Sequence, residues 1–193
     1  MKTLLAALLL CATATPAMAA GTIEGTLSGP ARVTRDAVVY LTDTPRVTST
    51  ATATYDQKGM VFVPRVLPVV RGTTVKFLNS DTVRHNVFSP DREKYNLGTW
   101  PQGETRDRVF DQCDEPLCAY VQLCNVHPEM EGYVVVLQSP QFAKVGKDGA
   151  FRIEGVPPGT WTLAVWSPKK AKAAPLKVTV EDGKAATVAV TLQ

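Results

Sequence analysis

Short runs of β-branched and aromatic residues, each stopped by a turn signal after four to seven positions, dominate this chain from residue 22 onward. No stretch of comparable weight keeps the 3.6-residue apolar period of an amphipathic helix. Runs at 22–27, 37–41, 60–63, 74–79, 84–88, 105–110, 119–124 and 133–137 read as strands, followed by 150–154, 160–166, 176–180 and 187–192. The breaks between them carry the matching chemistry: "QKG", "VVRGTT", "NSDT", "KDGA", "VPPGT" and "EDGK". Asp148-Gly149 and Asp182-Gly183 are expected to close tight hairpins, because glycine accepts positive φ without a Cβ clash. This pattern predicts an all-β fold, sandwich or barrel. A Thr/Ala-rich stretch at 48–54 is the nearest approach to low complexity.

The first twenty residues, "MKTLLAALLLCATATPAMAA", have another logic. Lys2 precedes an apolar run from Leu4 to Ala12, and Ala17-Met18-Ala19 supplies the small residues of a cleavage site. Residues 1–19 are therefore expected to be a signal peptide, and the mature protein periplasmic or secreted. The competing reading, a lipidated Cys11, is disfavoured by the bulky Leu10 before it. The leader is too short to span a bilayer and nothing later is long enough, so no membrane span is expected. Only Lys2 among the charged residues falls in the leader, leaving the mature chain one unit below the net +3 of the whole. Its densest basic cluster, "PKKAKAAPLK", reads as a solvated loop. Nucleic acid is not an expected partner.

Export also removes Cys11 and leaves Cys113, Cys118 and Cys124. In an oxidising compartment two cysteines five apart are expected to pair, which makes Cys124 the odd thiol. Cys124 opens the segment "CNVHPEM", with His127 three residues on and Met130 three beyond that. The chain's only other histidine is His85, at the end of a predicted turn. Two imidazoles, a thiolate and a thioether are the donor set of a blue-copper electron-transfer site. The rival is a closed zinc site of Cys113, Cys118, Cys124 and His127, which leaves His85 and Met130 unexplained and needs reduced cysteines outside the cytoplasm.

These residues resemble the cupredoxins, most closely the plastocyanin and amicyanin group. The ligand loop C-x-x-H-x-x-M is matched by Cys124, His127 and Met130, and the upstream "HN" motif by His85-Asn86. The lead-in is matched by Phe62, Pro64, Gly72 and "VKFLNSD". The resemblance runs from about residue 54 to residue 137. It implies a Greek-key β-sandwich holding one type 1 copper ion, with His85, Cys124, His127 and Met130 as ligands. It further implies that Asn86 pins the ligand loop beside the thiolate. The edge of His127, ringed by Val126 and Pro128, would be the electron port toward redox partner proteins. The segment "CDEPLC" departs from the short glycine-bearing turn usual in that family.

The last stretch, "DGAFRIEGVPPGTWTLAVWSP", resembles the carboxypeptidase regulatory-like, transthyretin-like β-sandwich modules. Such modules usually open with a strand pair like "GTIEGTLSGP…DAVVYL", which here lies at the other end of the chain. The expected organisation is a signal at 1–19, N-terminal strands at 20–48 shared with the C-terminal sandwich, a copper domain at 49–138 and a small transthyretin-like sandwich at 139–193; a plain tandem arrangement is the alternative. The combination also resembles secreted bacterial proteins labelled methylamine-utilisation proteins. The expected function is one-electron transfer through Cu(II)/Cu(I) cycling, with no enzymatic chemistry. Copper storage or delivery is the alternative reading. Multicopper oxidase, nitrite reductase and Ser/His/Asp hydrolase readings all need histidines beyond these two.

Overall fold

A computed structural model describes residues 19–171 and 173–192; the predicted signal peptide lies outside them apart from Ala19. Among the described residues the fold is all-β. The strands are β1 (Gly21–Ser28), β2 (Val38–Leu41), β3 (Thr52–Gln57), β4 (Phe62–Val63), β5 (Val66–Val70), β6 (Thr74–Asn79), β7 (His85–Ser89) and β8 (Tyr95–Trp100). They continue as β9 (Thr105–Val109), β10 (Leu117–Leu123), β11 (Glu131–Leu137), β12 (Phe142–Lys144), β13 (Ala150–Val156), β14 (Gly159–Trp166), β15 (Leu176–Val180) and β16 (Ala185–Thr191). One helical turn, α1 (Ala31–Thr34), follows β1.

Four sheets stack in four layers. The first, β4-β3-β6-β9, faces the second, β5-β11-β10-β7-β8, across a core of Tyr55, Phe62, Phe77, Trp100, Tyr120 and Val134. The third, β12-β2-β14-β15, faces the fourth, β13-β1-β16, across Ile23, Leu41, Phe151, Ile153 and Leu163. Sheets two and three meet back to back through Val38, Val66, Val135 and Leu137, with Tyr133 edge-on to Trp166. β11 therefore lies inside the protein on both faces. Val134 and Val136 enter the first core, whereas Tyr133, Val135 and Leu137 enter the contact between sandwiches. Its uninterrupted "VVVL" is the run expected of a doubly covered strand.

The ends of the chain interleave. β1 runs antiparallel to β13 and parallel to β16, and β2 lies between β12 and β14. Two local expectations need correction. Asp148-Gly149 and Asp182-Gly183 do form tight turns with glycine φ of 84° and 64°. Neither closes a hairpin, because β12 and β15 belong to the third sheet, whereas β13 and β16 belong to the fourth. In a sandwich this small, a sharp turn carries the chain across to the opposite layer.

The other differences are strands that alternation could not reveal. β3 occupies part of the Thr/Ala-rich stretch and buries only Tyr55 and Gln57; its parallel ladder to β6 makes it a strand. β5 carries Pro68, yet sits at a sheet edge, where a missing N–H is tolerated. β8 buries only Trp100, and β12 is three residues long. The predicted strand at 60–63 shrinks to Phe62–Val63, because Met60 belongs to the preceding turn.

Candidate metal centre

β7 and β10 are antiparallel neighbours with Leu123 opposite Phe88, so the start of β7 lies beside the end of β10. That register brings His85, the first residue of β7, to Cys124, just past β10. Inward alternation along β10 buries Cys118, Tyr120, Gln122 and then Cys124, while the loop that follows turns outward. The loop closes through Met130 N donating to His127 O at 3.0 Å, and β11 begins at the next residue.

Three ligand atoms converge here. Cys124 Sγ is 4.0 Å from His85 Nδ1 and 4.0 Å from His127 Nδ1, and the two nitrogens are 3.0 Å apart. A triangle with these sides has a circumradius of about 2.2 Å, inside the ~2.0–2.3 Å range of metal bonds to imidazole nitrogen and thiolate sulfur. One cation in the plane of the three atoms would thus meet all of them at bonding distance. His85 is 0% exposed, Cys124 2% and Met130 1%, whereas His127 is only partly buried. Met130 is buried in the same core cluster as Cys124. Val126 and Pro128 are exposed on either side of His127.

Neighbouring groups orient the donors. Asn86 N donates to Cys124 Sγ at 3.4 Å, which favours the thiolate. The Asn86 carboxamide oxygen accepts from Asn125 N at 3.4 Å, and its Nδ2 donates to Asn96 Oδ1 and Gly98 O. This one side chain ties the ligand loop to β7 and β8. His85 Nε2 lies 2.8 Å from Asp81 Oδ2, an acceptor that favours the ring proton on Nε2, while Nδ1 faces the sulfur. Asp81 also accepts from Gly59 N at 2.6 Å and Met60 N at 2.9 Å. Burial pushes the Asp81 carboxyl up, but the N–H groups of Met60 and Gly59, with His85, outweigh it and leave it below its usual range. Asp81 went unnoticed in the sequence, where "NSDT" reads only as a turn; a carboxylate four residues before a candidate ligand was the signal available.

Cys113 and Cys118 form a disulfide bridging the segment between β9 and β10. It withdraws both from the Cys₃His alternative and leaves Cys124 as the free cysteine among the described residues. The donors that remain, two imidazoles and a thiolate, fall short of the four protein ligands of a closed zinc site and suit copper.

Residues 129–193 match the carboxypeptidase regulatory-like domain family. The match begins inside the ligand loop and takes in β11, although β11 bonds within the first sandwich. No curated protein matches the chain. Part of the chain is similar to cupredoxins of solved structure. A copper-containing nitrite reductase from Thermus scotoductus is 27% identical over 49% of this chain and 25% of its own length, with a TM-score of 0.41. A purple cupredoxin from Nitrosopumilus maritimus is 26% identical over 44% of this chain and 98% of its own, with a TM-score of 0.38. A reduced amicyanin carrying a single tryptophan-to-tyrosine substitution is 21% identical over 51% of this chain and 97% of its own, with a TM-score of 0.41. This chain thus spans about a quarter of the nitrite reductase. These scores are low, and the fold described above rests on the chain's own strand order.

Proposed function

We propose that this is an exported type 1 copper protein that carries single electrons between redox partner proteins. The observation that carries the reading is the convergence of His85 Nδ1, Cys124 Sγ and His127 Nδ1 on one point at metal-bonding distance. Copper bound there supplies the Cu(II)/Cu(I) couple. The rest is the work of the chain. His85, Cys124 and His127 would hold the ion, with Met130 as a candidate weak fourth donor. Hydrogen bonds through Asn86 and Asp81 fix the ligands before metal arrives, so little rearrangement accompanies a change of charge.

The same enclosure favours a carrier over a storage or delivery protein. A delivery site must open to hand over its ion, whereas two of these three donors are sealed beneath the surface. Both histidines of the chain belong to the cluster, leaving none for a second, catalytic copper. Electrons would enter and leave at the partly exposed His127 edge, flanked by Val126 and Pro128. Export rests on the leader at residues 1–19. Among the described residues, no helix is long and apolar enough to cross a membrane.

The test is the optical spectrum of the oxidised, copper-loaded protein. Thiolate-to-Cu(II) charge transfer should colour it intensely blue or green, and Cys124→Ser should abolish the colour. His85→Gly should alter the spectrum and recover it with added imidazole. A colourless Cu(II) complex of the wild type would sink the reading.

A further inference from the structure

Asp81 makes three hydrogen bonds, two to backbone N–H groups of a turn and one to an imidazole. Oδ1 accepts from Gly59 N, and Oδ2 accepts from Met60 N and from the buried His85 Nε2. Gly59 and Met60 are the central residues of the turn joining β3 to β4, closed by Lys58 N donating to Val61 O at 3.0 Å. Both have positive φ, 67° and 59°. Glycine adopts that conformation freely; methionine rarely does. The turn nevertheless holds Met60, and it displays Met60 and Val61 to solvent at 42% and 53% exposure. A strained, exposed, apolar turn is thus fastened by a carboxylate whose other partner is a candidate metal ligand.

The loop presenting Asp81 is itself braced. Asn79 is fully buried; its Oδ1 accepts from Asp81 N at 2.9 Å, and its Nδ2 donates to Val83 O and Trp100 O. Ser80 Oγ donates to Asp56 Oδ2 at 2.7 Å. The carboxylate is therefore held in place from behind, with its oxygens aimed at His85 and the turn.

We propose that Asp81 is a positioning residue of the metal site: it holds His85 in its metal-binding tautomer and couples that ligand to the Gly59–Met60 turn. The proposal rests on the copper reading of the site. The coupling is reciprocal: if the turn's hold on Asp81 helps His85 bind metal, bound metal must stabilise the turn by the same factor. The Met60–Val61 turn then becomes a place where contact with a second protein is felt at the metal.

The experiment uses the full chain in three forms: wild type, Asp81→Ala and Asp81→Asn. In the metal-free proteins, nitrogen NMR of the histidine rings reads the tautomer directly, so failure of the copper reading cannot be mistaken for failure of this one. Wild type should show His85 protonated at Nε2 alone, and Asp81→Ala should show mixed tautomers. Copper affinity, measured by chelator competition, should fall about 10- to 100-fold in Asp81→Ala, the usual loss when the outer partner of a ligand histidine is removed. Asp81→Asn keeps an acceptor oxygen without the charge. It should lose less affinity and raise the reduction potential, since a negative charge beside a ligand favours Cu(II). Amide exchange at Gly59 and Met60 should slow when wild type binds copper, and that response should vanish in Asp81→Ala. If Asp81→Ala fails to fold, wild type carries the tautomer and exchange readouts, since His85 not protonated at Nε2 would overturn the proposal, and Asp81→Asn carries the potential. An unchanged His85 tautomer, affinity within twofold of wild type, an unshifted potential, or turn amides indifferent to copper would each overturn the proposal.

Discussion

Gly132 is the second residue of β11 and lies two positions past Met130, so its packing sets where the ligand loop ends. A Cβ added there would overlap the Tyr55 hydroxyl and meet Phe62 Cβ at 2.8 Å and Arg65 O at 3.1 Å. Tyr55 is fully buried and donates to Arg65 O at 3.1 Å. Gly132→Ala must therefore push the ring away and break that bond. Overpacking costs about 1–3 kcal/mol, and a stranded buried hydroxyl about 1–3 kcal/mol more. The expected loss is about 2–6 kcal/mol. Tyr55→Phe alone should cost only about 0.5–1.5 kcal/mol, because Arg65 O keeps its second donor, Tyr133 N at 2.8 Å.

The double variant discriminates. Removing the hydroxyl removes the worst of the three contacts, so Gly132→Ala with Tyr55→Phe should cost at least about 1 kcal/mol less than the two losses added. Urea unfolding of the metal-free proteins at matched m-values gives all four corners of the cycle. The copper spectrum of Gly132→Ala should shift as β11 and Met130 move, then return toward wild type in the double variant. Losses that add within about 0.5 kcal/mol would refute the packing argument, because the clash would then lie somewhere other than the hydroxyl.

Three further outcomes are expected. Intact mass of oxidised protein should rise by two hydrogens on reduction, and opening the short Cys113–Cys118 loop should cost at most about 3 kcal/mol by the chain-entropy model; two free thiols besides Cys124 in unreduced protein would revive the zinc site. Met130→Leu should keep copper and colour but raise the reduction potential, since losing the axial thioether destabilises Cu(II) more, whereas Met130→Gln should lower it; potentials unmoved in both would show that Met130 is not a ligand. Burial raises the Asp43 carboxyl, but hydrogen bonds from Thr162 and Lys177 outweigh it and hold it below its usual range. Its contribution to stability is then present above the unfolded carboxylate value of about 4 and lost as pH falls through the lower folded one. Asp43→Asn should flatten the acid limb of the unfolding curve, and an unchanged limb would remove Asp43 from the account.

What could be read from the residues, and what could not, divides along a physical line. His85, Cys124 and His127, whose ligand atoms the structure brings together, were legible because donor chemistry is carried by residue type, and the chain has few histidines and cysteines to confuse it. Strands such as β6 and β15 were legible because one face is buried and the other wet, so polarity alternates. β3, β5, β8 and β12 lacked that contrast: each lies at a sheet edge or is held mainly by its backbone ladder to a neighbour distant in sequence. Asp81 was invisible for a related reason. Its role depends on the β3–β4 turn 21 and 22 residues upstream lying against the loop before β7, a proximity set by the parallel pairing of β3 with β6.

That dependence on distant pairing reaches furthest in β11. The strand leaves the ligand loop at Glu131, lies between β10 and β5, and buries its outward residues against the second sandwich. Across that contact Tyr133 meets Trp166 edge-on at 5.4 Å between centroids, and Val135 and Leu137 close with Val38. Pulling the sandwiches apart would expose Tyr133, Val135 and Leu137 along a strand whose other face lines the first core. A fully buried side chain of this size contributes about 1.5–3 kcal/mol, so separation is costly for the very element that positions Met130. The second sandwich is also assembled from both ends of the chain, β1 and β2 with β12 to β16. It cannot be cut off at a single point without leaving β1 and β2 unpaired. The two sandwiches therefore work as one body, with the wall of the metal site forming part of the seam between them.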